Sequence, residues 1–447
     1  MAKVSGIEQY RITQTHFTGL VVECVATASH RREVEESIRE VLATSLPDSM
    51  SFVFEFVDRI SAPGAKVERY RSSVTRGAAM PVEGQLPNDP PPPAPQNVRA
   101  FIRKSMKACL GLPEADVQRA VIEEISSHLS GARVWRVSSS AMPSFSAVLK
   151  IPDWGTDTPL QGAGAVTTRE WSLISSGLLD QIEQLGVHAP RRLGFERRDR
   201  RTCLWMEDIR AALAVPWRPP LALRAARDCA RLHAFFRSAH QDLLELPWLG
   251  RDEAMFYSSY LEACHQNLTS LPQDPRYGSL FDADDIPALH RALDRQAWAT
   301  RELQRLPPTF IHGDFHNRNI GFDARGMVVI DWAHAGIAPL GSDIACFTSV
   351  YRLFGGEGGT PENGFEDGMI DAYVDAIQAI EPYPGLRADV IHAVGLWHLT
   401  WGLHLRLGPG LTALLKNYIK DEEQRERAAI DIQEGCRRAL RFLQQRA

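Results

Sequence analysis

The sequence predicts an α+β protein of two lobes, one small and β-rich, the next larger and mostly helical, preceded by a small α/β sandwich. Three observations predict it. A Pro-rich stretch, residues 81–95, contains Pro90, Pro91, Pro92 and Pro93 and reads as an extended, semi-rigid linker that divides the chain. Short apolar strand patterns (132–137, 146–151, 201–209) then precede long stretches of helical spacing. Finally, residues 312–319 (HGDFHNRN) are followed by a turn-like 322–326 and an apolar run, 327–330, that ends in Asp331.

Composition bounds the function. With 447 residues, 44% hydrophobic and 23% charged, the chain has enough apolar material for two or three domains with proper cores. A net charge of −5 supplies no basic field for nucleic acid. Residues 1–17 are polar and lack the apolar core of a secretory signal, and no run approaches the roughly 18 apolar residues of a membrane span. Seven cysteines (24, 109, 203, 229, 264, 346 and 436) are scattered with no CxxC pair, the pattern of a reduced, cytoplasmic protein with buried thiols. His312, His316 and His334 lie close in sequence, a clustering that a metal site would also give. The first two belong to the HGDFHNRN motif, and the third reads as a packing or polar-loop residue.

Residues 1–80 form the first unit. Strand patterns at 20–28 and 51–57 flank an amphipathic helix at 31–46, with Val34, Ile38, Val41 and Leu42 on one face. This β-α-β order points to a sandwich of ferredoxin-like type. Residues 6–12 and 57–67 add a resemblance to the C-terminal subdomain of adenylate-forming ligases of the phenylacetate–CoA ligase type. That family uses a Gly-Lys pair. Here it is interrupted as Gly64-Ala65-Lys66 and the large ligase domain is absent, so a structural or protein-binding unit is expected and not adenylation. Residues 81–97 are the linker.

Residues 98–208 make the β-rich lobe. Residues 99–110 and 114–126 read as helical or part-helical. Ser130-Gly131 closes a small-residue turn that feeds the strand at 132–137, and Lys150 sits near the end of the 146–151 strand. Glu170 falls in the first turn of a helix opening near Thr168, and 201–209 is a strand running into Met206-Glu207-Asp208. On local pattern alone these are also an ordinary hairpin turn, a strand-edge lysine, an exposed helix-start acid and a buried strand with an acidic turn. Residues 209–447 make the helical lobe, with helices at 221–236, 369–380 and 388–407, breaks at Pro382 and Pro409, and a solvated amphipathic helix over the Arg-rich end, 425–446. His233 reads as a packed structural histidine, and Asp343 opens a further helix.

The 312–331 segment carries the chemistry. Phosphoryl transfer needs an acceptor for the substrate hydroxyl proton and oxygen ligands for Mg²⁺. Asp314 suits the first task, and Asn319 with Asp331 the second. The segment resembles the catalytic and metal-binding segments of the aminoglycoside phosphotransferase and choline kinase superfamily, which has HGD where protein kinases have HRD. The resemblance implies a protein-kinase-like bilobal fold, ATP (with GTP as the alternative) and Mg²⁺. It implies nucleotide contacts from Ser130 and Gly131 over the phosphates, from Lys150 held by Glu170, and from the backbone of Met206 and Asp208 on the adenine edge. It also implies that Asp343 holds the catalytic loop, where local pattern alone gives a helix N-cap. The 126–131 turn has one glycine and matches a Gly-rich loop poorly. No long activation segment follows Asp331, so a small-molecule hydroxyl is expected as acceptor. Glu362, Glu366, Asp367 and Asp371 read either as an acidic acceptor cleft for a cation or as a solvated loop. A nucleotide-binding scaffold without turnover, or an interaction protein acting through residues 1–80, is the other class that the sequence leaves open.

Overall fold

The structure is a computed structural model. It describes residues 7–16, 19–26, 34, 36, 51–56, 70–72, 97–125, 132–139, 145–151, 169–170, 172–174, 176–198, 201–239, 246, 249, 260–351, 353–354, 356–357 and 364–445. The chain divides into two compact units, residues 1–181 with 191–207, and residues 182–190 with 208–447.

Among its described residues the first unit holds two sheets. Strands β1 (Ile7–His16), β2 (Gly19–Ala26), β3 (Ser51–Phe56) and β4 (Tyr70–Ser72) pair in the order β3-β2-β1-β4. β1 and β2 are an antiparallel hairpin, while β2–β3 and β1–β4 are parallel. The direct parallel pairing of β2 with β3 departs from the split β-α-β arrangement of a ferredoxin-like sandwich. Of the 31–46 helix only Val34 and Glu36 are described, both helical, and Gly64-Ala65-Lys66 lies outside the described residues.

The second sheet is antiparallel, in the order β5-β6-β7-β10-β9. Its strands are β5 (Ala120–Glu124), β6 (Arg133–Ser139), β7 (Ser146–Ile151), β9 (Arg192–Arg198) and β10 (Arg201–Glu207). A helix, Val98–Leu110, lies on it. Asn97 caps this helix by accepting the Ala100 N–H at 2.9 Å, and Gly111 at φ 63° ends it. Phe101, Ile102 and Met106 share one face at helical spacing and are buried with Trp135, Val137, Leu149 and Trp205. The Trp205 indole N–H donates to Ser105 at 2.9 Å, which pairs the polar end of an otherwise apolar contact. Of the two readings of 114–126, the part-helical one holds: the helix stops at Arg119, and residues 120–124 are strand. Ala120 is buried and Val121 exposed, an alternation that period-two pairing with β6 satisfies and a helix does not.

The second unit is mostly helical. The Pro219–Ala239 helix packs on the Phe365–Ile380 helix and on β11 (Pro308–Ile311), which pairs with β14 (Gly336–Pro339). β12 (Ile320–Asp323) and β13 (Gly326–Val329) form the expected hairpin, and β13 also pairs with the two-residue β8 (Val187–His188). The Leu386–Trp397 helix runs on through π-helical turns at His398–Gly402 and Arg406–Gly410. Pro409 sits inside the second of these, where the wider turn absorbs its missing N–H, so it does not break the chain as expected. The Arg-rich end forms the Glu422–Gln444 helix, which is not merely solvated. Ile432, Cys436, Ala439 and Phe442 bury one face against Leu399, Leu403 and Leu407. The first unit's sheet and the second unit's helices make this an α+β, protein-kinase-like bilobal fold. No helix among the described residues is long and apolar enough to cross a membrane, and the six described cysteine side chains form no disulfide.

Candidate active site

In the second unit, β11 delivers His312 into the loop that follows. His312 is fully buried, and the Asp314 N–H donates to its Nδ1 at 3.2 Å. Nδ1 is therefore an acceptor and the ring proton sits on Nε2, which donates to the Ile330 carbonyl at 2.9 Å. Burial holds the imidazole pKa below its usual value, against the opposing pull of Asp343, Asp314 and Asp331. Gly313 has φ 80°, and a Cβ there would collide with the His334 carbonyl oxygen, so the HGD motif needs its glycine twice over. Asp343 is fully buried beneath the loop. Its Oδ2 accepts the His312 N–H at 2.8 Å and its Oδ1 accepts the Gly313 N–H at 2.9 Å. The helix it belongs to, Ser342–Val350, is capped at Gly341 without a side-chain bond, so of the two readings of Asp343 the N-cap falls and the loop-holding role stands.

Asp314 and Asn319 meet directly. The Asn319 Nδ2 donates to Asp314 Oδ2 at 2.8 Å and to the Asp314 carbonyl at 3.0 Å. With the amide nitrogen so committed, Asn319 presents its carbonyl oxygen, a neutral hard donor. The Ile330 N–H donates to the backbone carbonyl of Asn319 at 2.9 Å, which ties the loop to the end of β13. Asp331 follows in a left-handed conformation, φ 62° and ψ 59°, a region that costs a non-glycine residue roughly 1–2 kcal/mol and that Asp tolerates better than most. Its neighbours hold it there. Ile330 is bonded to Asn319 and His312, and the buried Trp332 indole N–H donates to the Val329 carbonyl at 2.9 Å. Asn319 Oδ1 and the Asp331 carboxylate are oxygen donors of the kind that could hold Mg²⁺.

His316 was legible as part of the motif but not for its role. The Arg318 N–H donates to its Nδ1 at 3.2 Å, so Nε2 carries the proton and donates to Asp314 Oδ1 at 3.3 Å. Burial by itself would raise the Asp314 pKa. The hydrogen bond from His316, with the electrostatic pull of the His316, His334 and His312 rings, outweighs it and holds the carboxyl well below the usual range. A group with a depressed pKa stays ionised until the pH falls through that value, so the acid limb of any activity that needs the carboxylate starts far down. Replacing His316 with Ala is expected to raise the Asp314 pKa and move that limb to higher pH. A kcat–pH profile that keeps the wild-type acid limb would remove His316 from this role.

In the first unit, Lys150 lies on β7, the middle strand, opposite Val134 of β6 and Leu204 of β10. It is no edge solubiliser. Its Nζ is 2.6 Å from Glu170 Oε2, and both side chains are under 10% exposed. Glu170 is equally no exposed helix-start acid. Breaking one half of such a pair costs about 3–5 kcal/mol, because the other charge stays buried. Lys150→Met is expected to lower stability by about that much. If the lysine meets phosphate, it also weakens nucleotide binding roughly 10- to 100-fold, the loss of one charge-assisted bond. The double variant Lys150→Met/Glu170→Met should recover stability in urea melts without recovering nucleotide binding. Nucleotide affinity unchanged in both would take Lys150 out of the site.

Of the other expected nucleotide contacts, Met206 is the penultimate residue of β10, and Asp208 accepts the Arg210 N–H at 3.1 Å. Ser130 and Gly131 lie outside the described residues. The acids named as a possible acceptor cleft divide. Glu366 spends its carboxylate on Thr348 (2.9 Å), His398 (2.9 Å) and Arg438 (3.4 Å), and Asp371 pairs with Arg387. Glu366 is a framework residue, whereas Asp371 sits in a half-exposed surface ion pair. Glu362 lies outside the described residues.

Residues 121–383, more than half of the chain, match the sequence model described as the phosphotransferase enzyme family. No curated protein matches the chain. Among solved structures it is similar to a choline kinase of Cryptosporidium parvum, at 12% identity over 77% of this chain and 96% of that one, with a TM-score of 0.49. It is also similar to an aminoglycoside phosphotransferase of Alicyclobacillus acidocaldarius, at 15% identity over 75% and 96%, TM-score 0.45. A third similarity is to an ethanolamine kinase of Plasmodium vivax, at 13% identity over 85% and 96%, TM-score 0.44.

Proposed function

Since the chain belongs to the phosphotransferase enzyme family, we propose that it is a Mg²⁺-dependent small-molecule kinase that moves the γ-phosphate of ATP to a hydroxyl. The observation that carries this reading is the direct Asp314–Asn319 hydrogen bond on a loop tied to the strand end that presents Asp331. In this reading the proton acceptor touches one proposed oxygen ligand, and the other follows on the tied strand end.

In this reading Asp314 accepts a hydrogen bond from the acceptor hydroxyl, fixes its line of attack and takes its proton late in the transfer. A carboxylate with a depressed pKa is a weak base, which suits late proton transfer better than early abstraction. Asn319 and Asp331 would hold Mg²⁺, which when bound offsets phosphate charge. Lys150, oriented by Glu170, takes phosphate charge on the nucleotide side, and Ser130, Gly131 and the backbone of Met206 and Asp208 complete the nucleotide contacts. Most of the rate then comes from positioning and fixed electrostatics.

The acceptor class is an amino alcohol, an amino-sugar, an antibiotic or another hydroxylated natural-product intermediate. Residues 1–80 would serve as a protein-binding unit. The test is γ-phosphate transfer from Mg²⁺-ATP and Mg²⁺-GTP to a panel of choline, ethanolamine and aminoglycosides, with the full chain and with residues 1–96 removed. Transfer to one panel class supports the reading. Tight Mg²⁺-nucleotide binding without transfer or hydrolysis would favour the scaffold alternative.

A further inference from the structure

From Ile311 to Gly321 the chain is buried, apart from the partly buried Asp314 and one exposed residue, Arg318. Arg318 stands between the proposed base and the proposed metal ligand Asn319. Its guanidinium carbon lies over the Phe354 ring, 4.4 Å from the ring centre. Among the described residues its side chain makes no ion pair and no hydrogen bond. Phe354 is a fixed platform. Its N–H donates to the Val350 carbonyl at 3.0 Å, and its carbonyl accepts from Asn317 Nδ2 at 3.1 Å. Its ring centre is 4.5 Å from that of His316, the residue that donates to Asp314. Stacking uses the flat face of a guanidinium and leaves its in-plane N–H fork open. That fork matches the paired oxygens of a carboxylate or a phosphate.

The loop has two flanks. Asn319 is tied to Ile330, at the end of the hairpin that leads to Asp331, so the proposed metal ligands share the hairpin flank. His316, Asn317 and Arg318 instead seat against residues 351–354. Leu353 and Gly356 of that segment help to line a cavity of about 320 Å³, so this flank has room for a ligand. Charged residues that line the cavity are held in pairs: Arg427 with Glu423, Arg438 with Glu366, Glu357 with Arg218 and Asp431 with Arg406. Arg318 has no such partner among the described residues. The guanidinium is thus held on the flank opposite the metal ligands, where an acceptor and not the nucleotide would lie.

We propose that Arg318 is a specificity-determining residue that binds an acidic group, a carboxylate or a phosphate, carried by the hydroxylated acceptor. The proposal deepens the kinase reading and rests on Asp314, Asn319 and Asp331 acting as assigned there. An acidic acceptor must bring its hydroxyl toward the Asp314 carboxylate and an anionic triphosphate. Without a fixed cation on its own side that approach is repulsive, and Arg318 offsets the repulsion. A neutral or cationic amino alcohol leaves the fork empty.

The test uses matched acceptors that differ by one acidic group: ethanolamine and serine, glycerol and glycerate, glucosamine and glucosamine 6-phosphate. The full chain is compared with Arg318→Gln, Arg318→Lys and Phe354→Leu. The first readout is the ratio of kcat/KM for the acidic member to that for its partner. In the wild type this ratio should exceed about tenfold for at least one pair. Arg318→Gln should lower it roughly 10- to 100-fold, mostly through the acceptor KM, because one charge-assisted contact is lost. Arg318→Lys keeps the charge without the fork and should fall between. Phe354→Leu removes the platform and should lower the ratio several-fold, which keeps the test decisive if Arg318→Gln does not fold. The second readout is calorimetric binding of the acidic members without nucleotide. No acidic preference in the wild type, or a ratio unchanged in Arg318→Gln, would overturn the proposal. A rise in the KM for Mg²⁺-ATP that is equal with both members would overturn it too, by assigning the guanidinium to the nucleotide. If nothing is phosphorylated, the kinase reading fails and binding still decides. An acidic member that binds the wild type and is lost in Arg318→Gln keeps Arg318 as the anion contact, and no binding at millimolar concentration rejects it.

Discussion

Asp314→Ala is expected to lower kcat for phosphoryl transfer by about 10²–10⁴-fold and to leave Mg²⁺-nucleotide binding within a few-fold of wild type. The geometry separates the two effects. Asn319 donates to both the carboxylate and the backbone carbonyl of residue 314, and the second bond, at 3.0 Å, survives the substitution. The proposed metal ligand therefore keeps its place when the carboxylate goes. His316 loses its acceptor, but its Nδ1 stays bonded to the Arg318 N–H and holds the ring. Removing the carboxylate thus costs the hydroxyl its partner and little else. Asp314→Asn is the sharper companion, since it keeps size and hydrogen bonding but cannot take the proton. Single-turnover rates beside calorimetric titration with Mg²⁺-ATP make the comparison. Turnover within threefold of wild type in Asp314→Ala would remove Asp314 from the chemistry, and a parallel collapse of nucleotide binding would make it a structural or metal-binding residue instead.

How much of this was legible in the sequence depends on range. Asp314, Asn319 and Asp331 were readable because they sit on one loop and one hairpin, where spacing nearly dictates position. The Ile330–Asn319 and His312–Ile330 backbone links are short-range consequences of that hairpin. Lys150 and Glu170 were readable only as an order of residue types. Pattern did not reveal that Lys150 occupies the middle strand, where an unpaired ammonium would be too costly to bury. The contacts of His233 under the loop were not readable. Tyr373 and Asp343 meet His233 across 140 and 110 residues of chain, and nothing local distinguishes His233 from a packed histidine. Local periodicity also misled where tertiary pairing won. Residues 120–124 carry on a helical pattern but gain an edge-strand ladder, and Pro409 looks like a break yet lies within a continuous helical run because a π turn absorbs it. For residues 1–80 the strand order β3-β2-β1-β4 is itself the correction, since a β-α-β pattern fixes succession and leaves open which strands become neighbours.

Substitution of Asp331 is expected to abolish Mg²⁺-dependent nucleotide binding, by about 100-fold or more, because it removes the one anionic ligand of the proposed pair. The backbone here supplies a control that most metal ligands lack. Asp331 sits at φ 62°, so Ala at this position loses the carboxylate and keeps the strain, whereas Gly loses the carboxylate and relieves it. Asp331→Ala should therefore bind Mg²⁺-nucleotide poorly and melt lower than wild type. Asp331→Gly should bind it just as poorly and melt at or above wild type, by up to roughly 1 kcal/mol of relieved strain. Asp331→Asn tolerates the same conformation and keeps an oxygen, so it isolates the charge. If binding followed stability, recovering in Gly and failing in Ala, Asp331 would be a conformational residue and the ligand assignment would be wrong. If binding is lost in Ala and Gly alike while stability diverges, the carboxylate itself holds the cation. Mg²⁺-ATP titrations and thermal melts on the three variants decide between these, and they need no knowledge of the acceptor.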